Sequence, residues 1–287
     1  MTPAVPFAHA TQPLTLRPAT HTYRVATVST VQVKQQVGLS KSEATFRQTL
    51  LDTLPTGYVF QTEQLASQLQ NTDPGSLLLA EFNALNERLL LGTDQHGNLT
   101  DLLNAPEIGA RWQEMRARLS TTYARLPSLP ALLAAMDQQL QDPAALLAGM
   151  RHKGAFGLLY AGVWGQPAEG REPVVTEQLL KNYLGPLDLP LRLVATSALN
   201  SRAPGEVLIT RTGTLNQLQW DQTAFRQLLR SITDSFTLKA ELHLTCHEQY
   251  HLNYATGWLR EATQQLRLEV PGAYLNEVHH TLTLLPN

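Results

Sequence analysis

Residues 238–253 read LKAELHLTCHEQYHLN, and this stretch decides the fold class. Leu242, Leu244, Cys246, Tyr250 and Leu252 share one parity, while His243, His247 and His251 hold the other. Successive side chains of a strand point to opposite faces, so the alternation predicts a half-buried strand rather than a helix. Ala255-Thr256-Gly257 then turns the chain and Trp258 to Val270 returns it. Pro271-Gly272 turns it again, and Tyr274 to Leu285 completes a three-strand meander.

Working back from there, Glu206 to Thr210 reads as one hairpin arm, Thr212-Gly213-Thr214 as its turn and Leu215 to Trp220 as the return. Asp221 caps a helix carrying Phe225, Leu228, Leu229, Ile232 and Phe236 at helical spacing. A similar order occurs earlier. Arg88 to Thr93 and Leu99 to Leu103 flank the turn 94–98, and Asn104 with Glu107 forms an Asn-led capping box before Ile108, Trp112, Met115, Leu119 and Tyr123. The recurrence suggests internal duplication of a hairpin–helix unit, set against chance repetition of a common arrangement. Further helices are predicted from Asp73-Pro74 to about Asn86, at 129–140, at 144–151 and at 176–183. Tyr23, Val25, Val31, Val33 and Val37 share one parity and predict a single long strand. Thr45 to Leu54 and Tyr58 to Leu69 follow it across a Pro55-Thr56-Gly57 turn, making another three-strand meander.

The expected fold is α+β: mainly antiparallel, curved sheet with amphipathic helices packed on its apolar side. Residues 1–20 carry four prolines and read as a disordered lead-in, 21–164 and 174–287 as two α+β halves, and 165–173 as a linker between them. The halves form two domains or share one. In outline the architecture resembles the open half-barrels of lipoprotein carriers. No motif carries that likeness, so it assigns neither a family nor a residue role.

Composition narrows the function classes. Twenty-two basic residues meet 24 acidic ones, for a net charge of −2, which argues against nucleic acid as a partner. The single cysteine, Cys246, forbids an intrachain disulfide and a cysteine-based zinc cluster. The apolar run 155–164 is too short to span a bilayer, and the N-terminus lacks the charged start of a signal peptide. A cytoplasmic location without a membrane span is the expectation.

Candidate chemistry concentrates in the C-terminal strands. His243, His247, Glu248 and His279 are the residues a hydrolase or metal enzyme would draw on. Yet His243 and His247 stand roughly 13 Å apart along one strand, too far to share an ion. No metal and no cofactor is expected. Cys246 has the parity of the apolar side and reads as a structural thiol. Glu248 shares that parity and is expected where the face emerges into solvent, with a pocket as the alternative. Trp164 and Trp258 lie beside turns and are the candidate ligand platforms.

No reactive constellation is legible, so the sequence argues for a non-enzymatic binding protein. Its ligand is either an apolar small molecule in a sheet–helix cavity or a protein partner, as for a bacterial adaptor, chaperone or toxin-neutralising protein. The alternatives are a hydrolase or metal-dependent enzyme assembled from distant segments, and a structural subunit that joins a larger assembly through its strand edges.

Overall fold

The computed structural model describes residues 13–70, 74–151, 154–170, 172–184, 187–233 and 241–286. Its strands are β1 (Thr20–Val33), β2 (Gln36–Leu54), β3 (Gly57–Leu69), β4 (Arg88–Asp94), β5 (Leu99–Leu102) and β6 (Val174–Leu184). They continue with β7 (Leu187–Leu199), β8 (Glu206–Leu215), β9 (His243–Asn253), β10 (Leu259–Val270) and β11 (Tyr274–Leu284). The helices are α1 (Pro74–Asn83), α2 (Ala105–Thr122), α3 (Leu129–Gln141), α4 (Pro143–Met150), α5 (Gly154–Leu159) and α6 (Gln222–Thr233). The strands form a large antiparallel sheet in the order β5-β4-β3-β2-β1-β11-β10-β9-β8-β7-β6. It is not closed: β5 and β6 are its edges. Helices and a dominant sheet together make the fold α+β.

The chain divides into two compact units, each discontinuous in sequence. An N-terminal unit comprises Arg17–Ala26, Lys41–Gly162 and residues 282–286. A C-terminal unit comprises residues 13–16, Thr27–Ser40 and Val163–Thr281. In the first, Trp112 and Leu119 on the buried stripe of α2 pack with Leu129 and Leu133 of α3 and with Leu78 of α1. Asp142 caps α4, accepting from the backbone N–H groups of Ala144 and Ala145 at 3.0 and 3.1 Å. Asn104 begins α2 but its side chain does not cap it. Its Oδ1 instead accepts from Leu90 N at 2.9 Å and its Nδ2 donates to Arg88 O at 3.1 Å, tying the helix start to β4.

Four readings of the sequence are corrected. The strand expected to run through Val37 turns back at Lys34, which takes φ 56. A lysine in the left-handed region gives no turn signal of the kind Gly or Asn provides, so a hairpin reads as one strand. The helix expected at 176–183 is strand β6, paired residue by residue with β7 from Val174↔Ala195 to Leu180↔Leu189. Gln, Leu and Lys favour helix there only weakly, and tertiary pairing overrides so small a preference. The turn expected at 212–214 is the interior of β8. A Cβ on Gly213 would stand 2.7 Å from Leu193 Cδ2 and 3.0 Å from Cys246 Cβ, so this glycine serves close packing across three strands. Gly97, its supposed counterpart, takes φ 89 in a real turn. With the expected turn lying inside a strand, duplication of a hairpin–helix unit is not shown. Finally, part of the expected disordered lead-in is packed: Leu14 and Leu16 are buried, and Leu14 N donates to Gln166 O at 3.0 Å. The remainder of that expectation, residues 1–12, lies outside the described residues.

The 165–173 stretch makes backbone bonds on both sides. Gly165 N donates to Leu14 O at 2.9 Å and Gly170 N to Ser197 O at 3.1 Å. No helix among the described residues is long and apolar enough to cross a membrane.

Candidate functional site

The C-terminal unit carries a row of polar side chains across the apolar face of its sheet. Glu248 of β9 stands opposite Arg211 of β8 on one side and Gln264 of β10 on the other. Glu248 is only 4% exposed, so its carboxylate needs partners to offset lost hydration. It has four. Gln264 Nε2 donates to Oε1 at 2.6 Å, Tyr250 OH to Oε2 at 2.9 Å and Cys246 Sγ to Oε1 at 3.5 Å. Arg211 approaches Oε2 at 3.7 Å and lies over the Tyr250 ring, 5.4 Å from its centroid. Burial, and then the Glu248 charge, push both the Cys246 thiol and the Tyr250 hydroxyl well above their usual ranges. Both groups stay protonated and act as donors.

Apolar side chains surround this row. Leu191, Leu193, Leu244, Leu266 and Leu268 belong to one buried cluster that α6 contributes to through Phe225. Tyr183 and Tyr274 pack against it from β6 and β11. Strands lie about 4.8 Å apart, so a flat sheet would hold β6 and β11 about 24 Å from one another. Tyr183 is nonetheless near enough to Tyr274 and Cys246 that both raise its pKa, after burial, the largest cause. Side chains stand roughly perpendicular to a sheet, so packing Tyr183 and Tyr274 on one buried cluster requires this unit's sheet to curl around its apolar face. The Tyr183 hydroxyl and Trp220 Nε1 are buried there without a hydrogen-bond partner among the described residues.

The sequence candidates fall elsewhere. His243, His247 and His279 are exposed. His243 stands opposite Glu269 and His247 opposite Gln265, on the face away from the buried row. Among the described residues no group of three or more His, Cys, Asp or Glu side chains could hold a metal ion. Glu248 therefore parts from the histidines with which it was grouped. It does not emerge into solvent either, because the β8 and β10 partners on both flanks enclose it. Trp164 and Trp258 are not exposed platforms: they are 1% and 2% exposed, and Trp164 Nε1 donates to Gly257 O at 2.9 Å. Parity alone placed Cys246 and Glu248 on the apolar side. Arg211 and Gln264 went unnoticed because only strand register brings them to Glu248.

This assembly belongs to a large open antiparallel sheet. Over 95% of its length the chain superposes on a chain of lipovitellin, from a structure concerned with lipid–protein interactions in lipovitellin, with a TM-score of 0.51 at 10% sequence identity. The likeness is one of fold, and the match covers 26% of the lipovitellin chain. No protein-family model and no curated protein sequence matches the chain.

Proposed function

We propose that the C-terminal unit binds an apolar ligand bearing one polar group, held against the concave face of its sheet, and that it does so without catalysis. The observation that carries this reading is the buried Tyr183 hydroxyl, which has no hydrogen-bond partner among the described residues and packs on the same cluster as Cys246 and Tyr274. Buried polar groups in folded proteins nearly always have partners, so such a hydroxyl calls for an oxygen from water or from a ligand. The surrounding leucines would bury the apolar part, and the row from Arg211 to Gln264 supplies a fixed polar boundary. The fold shared with lipovitellin favours a ligand of lipid type. Protonated Cys246 and Tyr250 favour binding over nucleophilic chemistry.

Solvent extraction of natively purified protein, followed by mass spectrometry, tests the reading together with titration of a fluorescent long-chain fatty acid. Saturable binding that weakens about fivefold in Tyr183→Phe is expected, the size of one hydrogen bond. No extractable lipid and no saturable binding would overturn it.

A further inference from the structure

At the outer edge of the C-terminal unit lies β6, eleven residues reading VVTEQLLKNYL. One side of its backbone bonds to β7, and among the described residues no strand pairs with the other. Long apolar edges are usually covered or broken, because their free N–H and C=O groups template pairing with another chain. Among the described residues no further strand covers this edge, and its pairing with β7 is regular from Val174 to Leu180. Val174 is 50% exposed, Val175 51% and Leu179 41%, so apolar side chains accompany the free backbone groups.

The strand's charges identify what covers it. Leu179 is the central residue, with Glu177 two positions before it and Lys181 two positions after. A two-fold axis through Leu179, normal to the sheet, pairs the whole strand antiparallel with a second copy of itself. Glu177 then faces Lys181 of the second copy, and Lys181 faces Glu177 of the second copy. Centring the axis on Glu177 opposes two glutamates, and centring it on Lys181 opposes two lysines. Centring it on Gln178 or Leu180 matches neither charge. Directly opposed like charges destabilise a strand pair and opposite charges stabilise it, so one register is selected. The pattern continues inward. On β7, Arg192 stands opposite Glu177, and Lys181 Nζ lies 2.6 Å from Asp188 Oδ2. The added charges thus extend two rows of alternating sign.

We propose that β6 is a homodimer interface, through which two copies join their sheets edge to edge in the register centred on Leu179. The joined strands bury Leu179 against its symmetry mate. This proposal does not depend on ligand binding.

Charge reversal tests it on the full chain by size-exclusion chromatography with light scattering over a concentration series. The wild-type chain is expected to show a concentration-dependent dimer. Glu177→Lys and Lys181→Glu should each weaken it by about tenfold, since each replaces two attractive pairs with two repulsive ones. The double variant, Glu177→Lys with Lys181→Glu, should restore it, and circular dichroism confirms that each variant folds. A wild-type chain that stays monomeric throughout overturns the proposal. So does a dimer indifferent to both single reversals, or one the double reversal fails to restore.

Discussion

Arg211 and Glu248 form an ion pair at 3.7 Å across the β8–β9 pairing, with side chains only 12% and 4% exposed. A charge so placed is tolerated while its partner remains. Removing one partner leaves the other buried and uncompensated, which costs about 3 kcal/mol, whereas replacing both with apolar groups is far milder. Arg211→Met alone should therefore lower the urea midpoint strongly. The double variant Arg211→Met with Glu248→Leu should regain much of the loss, read as a coupling energy in a double-mutant cycle.

His280 is buried, with Nδ1 2.8 Å from Thr27 Oγ1. Burial, and then the neighbouring His279, lower its pKa from 6.5 to about 4. The unfolded chain thus takes up a proton near pH 6.5 that the folded chain refuses until about pH 4. The stability this group contributes is full above pH 6.5 and falls away as pH drops towards 4, by roughly 3 kcal/mol. Thermal melts across that window should show His280→Gln losing less stability on acidification than the wild-type chain.

Gly257 takes φ 73, and a Cβ there would stand 2.5 Å from Thr15 O and 2.8 Å from Thr15 C. Those are backbone atoms, and the Gly257 carbonyl also accepts from Trp164. Neither strain nor clash is easily relieved, so Gly257→Ala should cost about 2 kcal/mol or more. Denaturant unfolding followed by tryptophan fluorescence reads the loss.

Cys246 is fully enclosed, with its pKa pushed up by burial and then by Glu248. Thiol reagents attack the thiolate, so the native chain should remain unmodified by Ellman's reagent near neutral pH. It should react once per chain in denaturant. Rapid modification of the native protein would contradict the placement of Cys246 on the covered face.

Much of the secondary structure was legible. The β9–β10–β11 meander, α2, α3, α4 and the Asp221-capped α6 all follow from periodicity and turn residues, since these are local properties of the chain. Where local signals were weak, the reading failed. Lys34 turns without a turn residue, and 176–183 is strand only because β7 lies beside it. Gly213 imitates a turn because a packing glycine and a turning glycine look alike in sequence.

The site divides in the same way. By itself, the sequence determined that Cys246, Glu248 and Tyr250 share the apolar side of one strand, because side-chain alternation is fixed by backbone geometry. Tertiary structure alone decided that Arg211 and Gln264 flank Glu248, that Tyr183 approaches Cys246 from the sheet edge, and that the exposed histidines stay apart. Those relationships depend on strand order and register, which arise from pairings among residues distant in the chain.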